Sequence, residues 1–104
     1  MAVRKTSLVA LALLAPGCAW VSLERGAEAV SVRSAGQVEA CERLGKTHTR
    51  TLERIGPIPR RQGPVGQELE RLARNEAVRM GGNAVAPLDE EREGEQTFGI
   101  YACP

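Results

Sequence analysis

The side chains with the greatest capacity for chemistry are a single histidine, His48, and three cysteines, at positions 18, 41 and 103. A cysteine thiolate can attack an electrophile, bind a metal ion, form a disulfide or carry an acyl chain. The spacing of His48 from the cysteines matches no metal-binding or nucleophile–base motif. The sequence around each cysteine must therefore indicate its role.

Cys18 follows a segment that has the three parts of an export signal. Arg4 and Lys5 give the segment a basic start. An apolar run over residues 8–15 comes next, and Pro16-Gly17 ends it directly before the cysteine. As a helix the run would span about 12 Å of a hydrocarbon core of roughly 30 Å, so an uncleaved membrane anchor is disfavoured. A cysteine in this place is typical of a lipoprotein signal.

Residues 15–18, Ala-Pro-Gly-Cys, resemble the lipobox of bacterial lipoproteins, where Leu-Ala-Gly-Cys is usual. The resemblance implies that residues 1–17 are removed as a signal peptide and that Cys18 becomes the acylated N-terminus. Several acyl chains make a stable anchor, so the membrane is the expected partner. Ala19, where Asp would retain a lipoprotein at the inner membrane, implies the outer membrane with the domain facing the periplasm. The alternative is an ordinary secreted protein cut after Ala19.

The chain left after processing is one small domain. Residues 18–29 are expected to form the acylated end and a short tether, and residues 30–104 the domain. Loss of two basic residues with the signal leaves 12 basic and 13 acidic side chains, which are interspersed. This balance predicts no nucleic-acid partner and no electrostatic adsorption to anionic lipid. No cofactor is expected.

Cys41 and Cys103 remain once Cys18 is acylated, and two cysteines in an oxidising periplasm favour one disulfide. Closing a loop of about 63 residues would stabilise the fold by roughly 4 kcal/mol on the chain-entropy model. A metal site that adds His48 is the alternative, and no fourth ligand is evident. We therefore predict a single structural disulfide and no metal.

Residue periodicity predicts strands over residues 29–33, 46–55, 84–88 and 96–103. A capping box at Ser34 and Gln37 predicts a short helix over residues 35–44, and an apolar stripe predicts a long helix over residues 67–80. The segments 56–66 and 89–95 are predicted to be a Pro- and Gly-rich loop and an acidic turn. This order predicts an α+β domain, a small sheet of about four strands with one long and one short helix packed on it.

Several residues other than the cysteines are also candidates for a partner contact or for catalysis. Glu76 falls within the apolar stripe of the long helix, which predicts a buried, hydrogen-bonded carboxylate, with a functional carboxylate as the alternative. Arg60 and Arg61 in the loop could contact a partner or a lipid headgroup, or simply be solvated. Trp20 could rest at the membrane interface or pack under the domain. His48 is more typical of a solvated strand residue than of a catalytic one.

Several motifs resemble a family of uncharacterised proteobacterial lipoproteins, classed as a domain of unknown function, over essentially the whole mature chain. They are Cys18-Ala-Trp20-Val21, Cys41-Glu-Arg-Leu44-Gly45, Leu72-Ala-Arg-Asn-Glu-Ala77 leading to Gly81-Gly-Asn83, and Tyr101-Ala-Cys103. The family is distantly similar to the outer-membrane lipoprotein that senses envelope stress for the Rcs phosphorelay. That similarity implies a compact, disulfide-bonded α/β domain.

Three functions are compatible with the sequence. The first is a lipid-anchored domain for interaction or envelope maintenance, with an envelope protein as its possible partner and no catalysis. The second is a stress-sensing lipoprotein that signals to an inner-membrane partner. A long Pro-rich linker lets the Rcs sensor reach across, whereas here Val30 lies within about 40 Å of the anchor even in a fully extended chain. The third is a soluble periplasmic ligand-binding protein, or a small enzyme using Glu76, His48 and an arginine.

Overall fold

The computed structural model describes residues 22–52 and 54–104 of the 104-residue chain. Its strands are β1 (Ser31–Val32), β2 (Glu42–Arg50), β3 (Arg54–Ile55), β4 (Ile58–Pro59), β5 (Ala84–Pro87) and β6 (Glu95–Ala102). An α-helix, α1, runs over Gln62–Met80, and two short 3₁₀ helices cover Ala27–Ala29 and Ala35–Val38. Cys18 and Trp20 lie outside the described residues.

The main sheet has four strands in the order β1-β5-β6-β2. β6 pairs antiparallel with both β2 and β5, while β1 pairs parallel with β5 at one edge. A separate two-stranded sheet joins β3 and β4. The prediction of an α+β domain with a small four-stranded sheet and one long helix is confirmed.

The main core lies between α1 and one face of the sheet. Leu69, Ala73 and Ala77 follow one another at intervals of four along the helix, and all are fully buried. They pack in one cluster with Phe98 and Ile100 of β6. The small alanine side chains let the helix lie close to the sheet, which suits a chain with few aromatic residues.

The opposite face of the sheet carries a smaller apolar cluster. Val38 of the second 3₁₀ helix packs there against Ala84, Ala86 and Tyr101. The predicted disulfide is confirmed, since Cys41 and Cys103 are bonded to each other. Both cysteines pack against this cluster. The bridge therefore ties the segment before β2 to the end of β6.

The predicted short helix over residues 35–44 is wrong in length. The capping box between Ser34 and Gln37 forms as predicted, but the helix is 3₁₀ and ends at Val38. β2 begins at Glu42, which pairs with Ala102 of β6. The ladder of eight residue pairs with β6 and the nearby disulfide favour the strand over the nearly two further turns of helix that residues 39–44 would add.

The start of the long helix is also corrected, from residue 67 to residue 62. Pro64 lies in the first turn, where its missing N–H leaves no helical hydrogen bond unmade. The rest of the predicted loop is the β3–β4 hairpin, in which Gly56 has the positive φ (61°) that a tight two-residue turn needs. Proline and glycine here mark a hairpin turn and a helix start rather than one continuous loop over residues 56–66.

Candidate functional site

His48 lies on the exposed side of β2, and its ring bonds to two side chains of β6. Its Nε2 is 2.7 Å from Oε1 of Glu95, and its Nδ1 is 2.8 Å from Oγ1 of Thr97. The hydrogen bond from His48, and then the charge of Arg50, lower the pKa of the Glu95 carboxyl. No serine or cysteine nucleophile is bonded to His48 in the part of the chain that the structure describes, so the group joins two strands.

A metal centre would need several ligands close together. Within residues 22–52 and 54–104, no three histidine, cysteine, aspartate or glutamate side chains lie close enough to hold a metal ion. The two described cysteines are bonded to each other. Among the described residues, no helix is both long enough and apolar enough to cross a bilayer.

The buried carboxylate of α1 belongs to Glu68, which the sequence analysis did not single out. Its carboxylate accepts hydrogen bonds from Oγ1 of Thr51 at 2.8 Å and from Nη1 of Arg60 at 3.0 Å, and it pairs with the second guanidinium nitrogen. The hydrogen bond from Arg60 is the main cause that lowers the pKa of Glu68, against the effect of burial. Only 4% of the Glu68 side chain is exposed.

Arg60 is therefore not the partner-contacting residue that the sequence suggested. Only 7% of its side chain is exposed, and Nη1 also donates to the carbonyl of Leu52 at 2.8 Å. The pair with Glu68 fastens the β3–β4 hairpin to α1. Arg61, the residue that precedes α1, is exposed as predicted.

Glu76 is not the buried carboxylate that the sequence suggested. Its side chain is 37% exposed and pairs with Nη1 of Arg79 at 3.1 Å. Glu76 does lie within the apolar stripe, but there the stripe borders a groove that Glu76 lines with Leu72 and residues 47–50 of β2. The sequence therefore indicates the correct helix face but not that this part of the face stays accessible.

Asn75, which directly precedes Glu76, is buried (5% exposed) and forms hydrogen bonds to the N-terminal segment. Its Nδ2 donates to the carbonyl of Ser22 at 2.9 Å, and its Oδ1 accepts from the amide of Glu24 at 2.8 Å. Arg79 pairs with the Glu24 carboxylate. Residues 22–29, predicted to be part of the tether, therefore pack on α1.

Glu68 and Asn75 share one flank of α1. They are seven residues apart, which is nearly two full turns, so both point to the same side with about 10 Å between them along the helix axis. Asn75 and Glu24 also line one groove with residues 47–50 of β2. The flank of α1 beside β2 thus carries both the N-terminal segment and the hairpin; we call it the tether flank.

The sequence contains no local signal for the burial of Glu68 and Asn75. Both lie about 100–120° around the helix from Leu69, beside the apolar stripe, and only the assembled fold buries them. Each anchors a segment that packs on the helix rather than a ligand. The arrangement is suited to fixing loops in place.

Comparison with known protein families finds a match over residues 21–103 to a domain of unknown function, DUF4156. The chain belongs to the DUF4156 family. The matched range includes the tether flank, the hairpin and both cysteines of the disulfide in this DUF4156 domain. No curated protein and no solved structure matches the chain.

Proposed function

We propose that this DUF4156 protein is a lipid-anchored lipoprotein of the outer membrane, with a periplasm-facing domain for interaction or envelope maintenance and no chemistry of its own. The observation that carries the proposal is the fastening of Ser22 and Glu24 to Asn75. Only three residues lie between Ser22 and Cys18, so an acylated Cys18 is at most about 14 Å from the folded domain.

The disulfide supports an extracytoplasmic location. Structural disulfides persist in oxidising compartments such as the periplasm. The Cys41–Cys103 bridge closes a long loop, with a sequence separation of 62 residues. On the chain-entropy model such a bridge contributes about 4 kcal/mol, a large share of the stability of a domain this small.

The uses of the buried polar groups support interaction rather than catalysis. Glu68 forms hydrogen bonds that fix the hairpin, and Asn75 forms hydrogen bonds that fix the N-terminal segment. His48 joins two strands, and the two described cysteines are bonded. The short tether also favours action at the anchoring membrane over signalling across the periplasm.

Subcellular location and acylation test the proposal together. We expect the native protein to incorporate a palmitate analogue and to sediment with outer-membrane fractions. Cys18→Ser should remove both properties, because the acylated sulfur is lost. The matched variant Ala19→Asp should keep the label and move the protein to the inner membrane. Labelling of the Cys18→Ser variant, or an unlabelled native protein, would contradict the proposal.

A further inference from the structure

The β3–β4 hairpin exposes two large apolar side chains that lie beside each other. Ile55 and Ile58 are direct partners across the hairpin, and 53% and 66% of their surfaces are exposed. Cross-strand partners stand on the same face about 5 Å apart, so the two isoleucines form one apolar surface. Leu52, at the base of the hairpin, is also more than half exposed.

The exposure of these isoleucines does not come from a loosely attached loop. Arg60, directly after β4, is fixed to Glu68 of α1 and to the carbonyl of Leu52. At the other end, the amide of Thr51 donates to the carbonyl of Gly94 at 2.8 Å. The fold therefore exposes the apolar surface at a fixed position. Exposed apolar clusters often mark contacts with a protein or a membrane.

The hairpin lies on the same side of the domain as the tether. Its base is fixed at Glu68 and the N-terminal segment at Asn75, about 10 Å apart on the tether flank. The chain can run at most about 14 Å from Ser22 to Cys18. A bilayer that holds the acyl chains is thus within reach of the hairpin without any change in the domain.

We infer that the β3–β4 hairpin is a second membrane contact, which inserts Ile55 and Ile58 into the boundary between headgroups and acyl chains of the leaflet that holds Cys18. The inference rests on the lipid anchor proposed above. Arg54 and Arg61 are exposed at the two ends of the hairpin, where guanidinium groups can meet lipid phosphates. Two contacts would set the orientation of the domain on the membrane, which a single flexible tether cannot do.

A lipid surface fits this hairpin better than a protein groove does. A two-residue turn flanked by isoleucines presents a small convex knob, with arginine near each end of it. The evenly balanced charge of the whole domain gives no general attraction to anionic lipid. Insertion would therefore depend on the two isoleucines and on the proximity that the tether provides.

The test places a fluorophore at the hairpin in the acylated protein. The variant Ile58→Cys carries an environment-sensitive nitrobenzoxadiazole label on its only free thiol, and the protein is reconstituted into vesicles of phosphatidylethanolamine and phosphatidylglycerol. Val32→Cys is the matched control. Val32 is also an exposed β-branched residue (40%), but it lies in β1, at the opposite edge of the sheet from β2.

We expect the label at position 58 to show blue-shifted emission and several-fold stronger quenching by nitroxide-bearing lipids than the label at position 32. Equal, water-like signals at both positions in protein that floats with the vesicles would overturn the membrane contact and leave the lipid anchor intact. Protein that does not float would refute the anchor, and the hairpin inference with it. Ile55→Asp in the position-58 variant should abolish the blue shift while flotation persists, and an unchanged blue shift would contradict insertion by this surface.

Discussion

At the scale of single residues, the carboxylate of Glu68 determines how the fold responds to acid. The hydrogen bond from Arg60 lowers its pKa below the ordinary value of 4.5, so the folded state binds this proton more weakly than the unfolded chain does. The resulting stability is present above the unfolded pKa and is lost as the pH falls from about 5 through the lowered pKa. Acid sensitivity should therefore appear in that window.

The variant Glu68→Gln tests this account. It should be about 2–3 kcal/mol less stable than the native chain at neutral pH, because the charge-assisted bonds to the carboxylate are lost and the buried Arg60 keeps an unbalanced charge. Its free energy of unfolding should fall less between pH 6 and pH 3 than that of the native protein. Urea unfolding at several pH values measures both. If the free energy of unfolding of the variant fell with pH as steeply as that of the native protein, Glu68 would not be the cause of the acid sensitivity.

Gly99 is required by the ring of Tyr101, two positions later on the same face of β6. A Cβ at residue 99 would lie 2.6 Å from the Tyr101 hydroxyl oxygen and 2.8 Å from a ring carbon. Gly99→Ala should therefore destabilise the domain by about 1–3 kcal/mol, as overpacking does. Gly36→Ala, which meets nothing within 4 Å, is the control. Equal midpoints of chemical unfolding for the two variants would contradict this packing.

The sequence predicted some of these residues and not others, for identifiable reasons. Cys41 and Cys103 were predictable as a disulfide because they are the two cysteines that remain once Cys18 is assigned to the expected lipid anchor. A buried carboxylate was predicted at Glu76 and is found at Glu68, because an apolar stripe does not indicate which positions of the helix other segments cover. The partner, Arg60, comes from a different element, so no local pattern indicates the pair.

At the scale of elements, the start of α1 is the main departure from the sequence prediction. If the helix begins at residue 62, Gly66 lies in its interior with open space around its Cα. Gly66→Ala should then stabilise the domain by about 0.5–1 kcal/mol. Gly81→Ala is the contrasting variant and should destabilise, because Gly81 ends the helix at φ 79°. No gain from Gly66→Ala in thermal unfolding would indicate a later helix start.

Attachment of the N-terminal segment to α1 depends on Asn75. Asn75→Ala removes two hydrogen bonds to the backbone of residues 22 and 24 and should cost about 1–3 kcal/mol. The amide of Glu24 should then exchange its hydrogen much faster. Asn75→Asp keeps the acceptor for that amide and should protect it partly. Unchanged exchange at Glu24 in Asn75→Ala would contradict the attachment and lengthen the effective tether.

At the scale of the whole molecule, the α+β architecture was predictable and the placement of its segments was not. Strand and helix periods are local, and they indicate the four main strands and α1 directly. The β3–β4 hairpin and the packing of residues 22–29 depend on Glu68 and Asn75, which act across the fold. The tether flank therefore appears only once the elements are assembled.

The proposed lipoprotein is a domain held at the membrane by acyl chains on Cys18 and closed by one disulfide. The measurement that tests it most directly is the intact mass of the protein purified from membranes, with and without reductant. We predict a chain that begins at Cys18, carries acyl groups and gains the mass of two hydrogens on reduction. An unacylated chain that begins after Ala19 would contradict the account, because the protein would then be soluble and the tether flank would have no membrane beside it.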